Sequence, residues 1–210
     1  VATDGASSRG FTLIELLVVT AILVVITGAM LFSNRQFGGR ILLENLAYDI
    51  ALTVRQAQVY GISVRQFEGA DEGDFNLGYG VSFSTSDDED RQYVLFGDAV
   101  ERDGVWQSGE DIDIYTIERG YEIAALCAPS ELSAEECLEQ EGEENRIDIV
   151  FRRPEPDACI SVDGNGAAEY GDEDDDPSCS GEDSARIVLI SPRGDIGSVV
   201  VESSGQIYVE

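Results

Sequence analysis

Hydrophobic residues follow three regimes along the chain. From Leu16 to Phe32 the sequence runs LLVVTAILVVITGAMLF, 17 residues without a charge, and adding FTLI ahead of Glu15 extends the block to 22 residues from Phe11. A helix of that length measures ~33 Å, enough to cross a bilayer. Between Ile41 and Arg65 the apolar residues Leu43, Leu46, Ala47, Ile50, Val54 and Ala57 recur every three or four positions, with Glu44, Asp49, Arg55 and Gln58 on the opposite side. That spacing is an amphipathic helical stripe, a core-packing face needing no other cause. The two regimes predict one helix from about Thr12 to Tyr60, loosened at Gly38-Gly39 and stopped at Gly61.

Beyond Gly61 the period changes to two. Ile62–Arg65, Tyr79–Ser84, Tyr93–Phe96, Ile112–Ile117, Tyr121–Leu126, Ile147–Phe151, Arg186–Ser191, Ser198–Glu202 and Gln206–Val209 are short alternating or β-branched runs. Asp103-Gly104, Arg119-Gly120, Arg193-Gly194 and Ser204-Gly205 punctuate them, the last closely enough for a hairpin. The predicted fold class is α+β: a long N-terminal transmembrane and amphipathic α-helix packed on an antiparallel β-sheet head.

Charge narrows the function. With 42 Asp and Glu against 13 basic residues, all Arg, the net charge is −29. Such a chain repels nucleic-acid phosphates and anionic lipid headgroups, so no nucleic-acid partner is expected. The absence of histidine removes His-containing triads, His-based zinc sites and haem-His sites. Acid pairs abound, but nothing marks one pair as a hydrolase site, and acid runs in loops are usually solvated surface.

The apolar block carries one anomaly. Glu15 lies inside it, where an ionised group costs ~2.5–3.5 kcal/mol or more without a partner, so an intramembrane acid is a functional candidate. A secretory signal peptide would have a shorter apolar core and a small-residue cleavage site after it, and neither is present. Arg9 on one side is outnumbered by Arg35 and Arg40 on the other, so flanking charge does not orient the span.

At Arg9-Gly10-Phe11-Thr12-Leu13-Ile14-Glu15-Leu16-Leu17 the chain resembles the type IV pilin and pseudopilin family. The resemblance implies that prepilin peptidase cuts after Gly10, that the new N-terminal Phe11 is N-methylated, and that Glu15 is the assembly acid at the fifth mature position. In a filament cored by such helices, a carboxylate in low dielectric needs a cation, and the freed amine of Phe11 on a neighbouring subunit supplies it. The chain departs from the family in two respects. It starts with Val rather than Met, as in a truncated chain or one begun at a non-standard codon, and no helix-bending proline stands between Phe11 and Arg65. Gly28 is the flexible point within the span. The stretches LAYDIALTVRQAQVYGISVR and SPRGDIGSVVVESSGQIYV are similar to the GspH/FimT-type pseudopilin head.

Cys127, Cys137, Cys159 and Cys179 all fall in the head, expected outside the cytoplasm, where disulfides persist. Four cysteines allow three connectivities; the sequence-local pairs Cys127–Cys137 and Cys159–Cys179 would close two polar insertions that have little apolar surface of their own. A zinc site lacks the C-x-x-C spacing. Between Asp98 and Glu110, counting Ala99 as the first position of a calcium loop puts Glu101 third, Asp103 fifth, Gly104 sixth and Glu110 twelfth. The first position has no oxygen ligand unless Asp98 supplies it. Calcium is therefore the single cofactor candidate, at Asp98, Glu101, Asp103 and Glu110, against a simple acidic turn. The acid-rich loop around Asp163 and Asp172 has oxygen ligands without a fixed spacing.

The expected organisation is a leader at 1–10, a transmembrane and polymerisation helix at 11–32, its amphipathic continuation at 33–61, and an extracytoplasmic β-rich head at 62–210. The expected function is a structural, non-enzymatic subunit of a type IV pilus-like or type II secretion pseudopilus filament. Its partners would be prepilin peptidase, other pilin or pseudopilin subunits and the inner-membrane assembly platform. It would sit as a single-pass protein of the inner membrane before assembly and in a surface filament afterwards. The alternatives are a minor pilin that binds DNA or adheres, and a membrane-tethered extracytoplasmic domain.

Overall fold

The computed structural model describes residues 10–63, 77–86, 90–100, 102–129, 133–139, 146–165, 168–169, 178–179 and 181–210, with side chains at 32–38, 138–139, 168–169 and 178 excepted. Two compact units are present, Val1–Gly39 and Arg40–Glu210. Helix α1 (Leu13–Ile62) supplies the first unit and opens the second. Its helical assignment runs on through Gly38 and Gly39, and also past Gly61, which the sequence marked as the stop. Gly61 has another reason to be small: a Cβ there would lie 2.3 Å from the carbonyl oxygen of Phe151. The glycine marks a close approach of helix to strand as well as the end of the helix, which stops one residue later at Ile62.

In the second unit, α1 buries the predicted stripe, with Leu43, Ala47, Ile50, Val54 and Ala57 all inside the core. Two antiparallel sheets share that core, where the periodicity alone suggested one. The first is ordered β3–β2–β1–β5–β6, from β1 (Gly78–Ser84), β2 (Gln92–Asp98), β3 (Asp111–Thr116), β5 (Arg146–Phe151) and β6 (Ala158–Val162). The second is ordered β11–β10–β9–β4, from β4 (Glu122–Cys127), β9 (Ser184–Ile190), β10 (Ile196–Glu202) and β11 (Ile207–Val209). A third, two-stranded ladder joins β7 (Ala168–Glu169) to β8 (Ser178–Cys179).

Alternation decides which side chains meet the helix. Tyr79, Val81 and Phe83 of β1, Ile147, Ile149 and Phe151 of β5, Ile187 and Leu189 of β9, and Val199 and Val201 of β10 turn inward. The opposite faces are also covered. Helix α2 (Ala134–Glu139) seats Cys137 against Ala125, Cys127 and Val188 on the second sheet. The loop from Ala99 to Glu110 lays Trp106 over Val94, Phe96 and Val150 on the first. Gly80 makes room for this layer, since a Cβ there would meet the Phe96 ring at 2.8 Å.

Several expectations change. Gln58, placed on the polar side of the stripe, is buried, because it lies at the margin of the apolar face and finds backbone partners there. The run Ile62–Arg65 is not a described strand: Ile62 ends the helix, and residues 64 and 65 lie outside the described residues. The insertion between Cys127 and Cys137 is not devoid of packing, since it contains the start of α2, and part of that between Cys159 and Cys179 is strand β6.

Candidate functional site

The N-terminal site begins in non-helical backbone. Gly10 is exposed, with nothing within 4 Å of where a Cβ would stand, and Phe11 beside it is 83% exposed. The peptide bond between them precedes the helix. Thr12 caps the helix start: its Oγ1 accepts the N–H of Glu15 at 3.3 Å, which makes Glu15 the third residue of α1 in a T-x-x-E capping arrangement. A carboxylate in the first turn also faces the positive end of the helix dipole.

From Leu13 to Leu31 the helix has a mean hydropathy of 2.5 and none of its side chains is buried, a length and composition that suit a membrane span. Its two hydroxyls are satisfied internally. Thr20 donates to the carbonyls of Leu16 and Leu17 at 3.0 Å each, and Thr27 to Leu23 at 2.8 Å. Glu15 is the one ionisable side chain in the segment.

In the head, the calcium candidates serve as internal acceptors of their own loop. Glu110 is fully buried; its Oε1 accepts the N–H groups of Ala99 at 2.9 Å and Val100 at 2.7 Å, and its Oε2 that of Gln107 at 2.8 Å. Asp98, also fully buried, accepts from Gly104 at 3.0 Å, and Asp103 accepts from Val105 at 3.0 Å. Glu101 lies outside the described residues. Among the described residues no three acids or cysteines are grouped so as to hold a metal ion. The spacing that resembles a cation loop produces a carboxylate-stapled turn.

That turn clamps a buried ion pair that periodicity alone does not announce. Asp148 of β5 is fully buried, with its Oδ2 2.9 Å from Arg146 Nε and its Oδ1 accepting from Arg146 at 2.9 Å and from the Trp106 N–H at 3.3 Å. The Arg146 guanidinium lies 5.4 Å from the centre of the Trp106 ring. Burial pushes the Asp148 carboxyl above its ordinary range, with Arg146, Ser82 and the Trp106 N–H offsetting part of the effect. Alternation in RIDIVF sets Arg146, Asp148 and Val150 on one face and Ile147, Ile149 and Phe151 on the other, but does not reveal that the first face is covered as well.

Both disulfides are formed, Cys127–Cys137 and Cys159–Cys179, and no described cysteine is free. Cys137 and Cys159 are buried, whereas Cys179 is exposed.

No curated protein and no solved structure matches this chain. A family model described as the prokaryotic N-terminal methylation motif matches residues 5–31. The match covers the capped helix start, Gly10, Phe11 and Glu15, and it supports a type IV pilin-like chain that is a substrate of prepilin peptidase, of a kind generally structural rather than catalytic.

Proposed function

We propose that this chain is a structural subunit of a type IV pilus-like or type II secretion pseudopilus filament, cut after Gly10, methylated on Phe11 and assembled through its N-terminal helix. The observation that carries the reading is the exposed apolar helix Leu13–Leu31 with a single acid, Glu15, in its first turn. A plain membrane anchor gains nothing from a carboxylate at that depth, whereas a subunit does. Before assembly the acid is unneutralised in a low-dielectric layer. Docking beside the Phe11 amine of a neighbour removes that penalty at one axial position, which favours addition in register. The four segments 1–10, 11–32, 33–61 and 62–210 then act as leader, polymerisation helix, helical support and GspH/FimT-like head. The partners are prepilin peptidase, sister subunits and the inner-membrane assembly platform, with the head outside the cytoplasm.

Glu15→Gln tests the role, because glutamine keeps the T-x-x-E/Q helix start while removing the charge. Filaments sheared from cells co-expressing the assembly machinery and carrying Glu15→Gln should fall at least about tenfold, the scale of one lost charge interaction. Membrane levels and leader cleavage should stay at those of the parent protein. Undiminished filaments would contradict the proposed role of the acid.

A further inference from the structure

Among the described residues, one edge of the second sheet has no further strand beside it, and a groove lies there. Strand β11 ends the order β11–β10–β9–β4 and pairs with β10 alone among the described strands. Glu202 N donates to Gln206 O, and Ser198 and Glu210 exchange both of their backbone bonds, so Gln206 and Glu210 face β10. Antiparallel alternation then turns the N–H and C=O groups of Ile207 and Val209 the other way, toward the free edge.

The Tyr48–Arg55 stretch of α1 runs alongside. Together they enclose a groove of about 530 Å³ whose described lining includes Tyr48, Leu52, Arg55, Gln206, Ile207 and Tyr208. Tyr48 and Leu52 are 52% and 66% exposed, although the adjacent stripe of the same helix is buried. In length the groove fits a strand: the seven rises from Tyr48 to Arg55 span ~10 Å, about three residues of extended chain at ~3.3 Å each. The described lining has one guanidinium, that of Arg55, while Glu202 stands at its margin with its Oε1 3.5 Å from the Tyr208 hydroxyl. Arg55 donates to Gln58, which uses part of a fork of five N–H donors.

We propose that this groove is a strand-addition site, in which an extended segment of another protein pairs with β11 as a fifth strand, setting a carboxylate against Arg55 and apolar side chains over Tyr48 and Leu52. A second copy is an outcome that the test separates: charge of −29 on each opposes close approach of two whole heads more than that of a short segment with one acid. The inference does not rest on the filament reading.

The test pans a displayed library of random twelve-residue peptides against the full chain in detergent micelles. Enriched peptides should alternate β-branched or aromatic residues and carry an Asp or Glu. On binding, amide exchange at Ile207 and Val209 should slow. Arg55→Glu should weaken the selected peptide at least about tenfold and restore binding to its acid-to-Lys counterpart. Leu52→Glu should weaken it independently. No enriched sequence, binding indifferent to both variants, or protection confined elsewhere would overturn the site. Self-association of the protein alone that protects the same two amides would assign the groove to a second copy and overturn the proposal as stated.

Discussion

The side-chain amide of Gln58 donates to the carbonyl oxygen of Gly205 at 3.1 Å and to that of Pro156 at 2.8 Å, tying the helix to the β10–β11 turn. Gly205 holds a φ of +79°, and a Cβ there would lie 2.2 Å from Pro156 O and 2.6 Å from the Gln58 nitrogen. Space and backbone conformation therefore both demand glycine. Gly205→Ala should lower the stability of the head by roughly 2–4 kcal/mol, the scale of a strained backbone plus a displaced buried amide. Gln58→Leu should lower it by about 1–3 kcal/mol, because the buried Gly205 carbonyl and the part-buried Pro156 carbonyl lose their donor. Chemical denaturation of both variants reads these losses; a change under a few tenths of a kcal/mol in Gly205→Ala would show that the turn relaxes freely.

The sign of the pH effect at Asp148 is set by its burial. Its folded-state pKa is raised, so between the ordinary carboxylate value and the raised one the folded chain binds more protons than the unfolded chain. Stability from this group is fully present below the ordinary value and is lost as pH rises through the raised one. Asp148→Asn removes that component. Urea unfolding across mildly acidic to neutral pH should therefore show the parent protein losing stability relative to Asp148→Asn as pH increases. A constant difference between the two would mean that Arg146 fully compensates the burial.

The two disulfides should differ in cost for a reason of packing. Their sequence separations are 10 and 20, so loop entropy alone sets each near ~3 kcal/mol and slightly favours the longer loop. Cys137 is fully buried as the plug that seats α2 on the second sheet, whereas Cys179 is exposed. Paired substitution Cys127→Ser with Cys137→Ser should destabilise the head more than Cys159→Ser with Cys179→Ser, reversing the entropic order. Thermal unfolding of the two double variants measures it. Equal losses would show that the entropy of the closed loops dominates.

Legibility in the sequence tracks how far each residue's pattern reaches. The stripe Leu43–Ala57 and the alternation of β1, β5, β9 and β10 are readable because long periodic runs carry their own direction. Period two tells which residues share a face, not which strand pairs with which, so it does not separate the two sheets. Strand β6 is hidden by its setting, five residues between Asp157 and Asp163-Gly164 in a cysteine-bounded acidic stretch. Helix α2 is too short for periodicity, yet its capping box is there to be read: Ser133 Oγ accepts from Glu136 N at 3.3 Å, and Ser133 N donates to Glu136 Oε2 at 2.9 Å. At the N-terminal site Gly10, Phe11 and Glu15 are legible as a motif, while the capping by Thr12 emerges only from the helix start. The spacing from Asp98 to Glu110 has two readings in the sequence because backbone N–H groups and a cation ask the same carboxylates for the same lone pairs; in the structure Glu110 and Asp98 accept from backbone N–H groups.

The central claim is that Gly10–Phe11 is a processing junction opening an assembly helix. Intact mass of the membrane-extracted protein, expressed with an active prepilin peptidase and separately with a catalytically dead one, tests it most directly. Loss of the residues through Gly10 together with one added methyl on Phe11, seen with the active enzyme alone, is the predicted result. An uncut chain with both enzymes, or a cut after the apolar segment, would contradict it and leave a tethered or secreted domain.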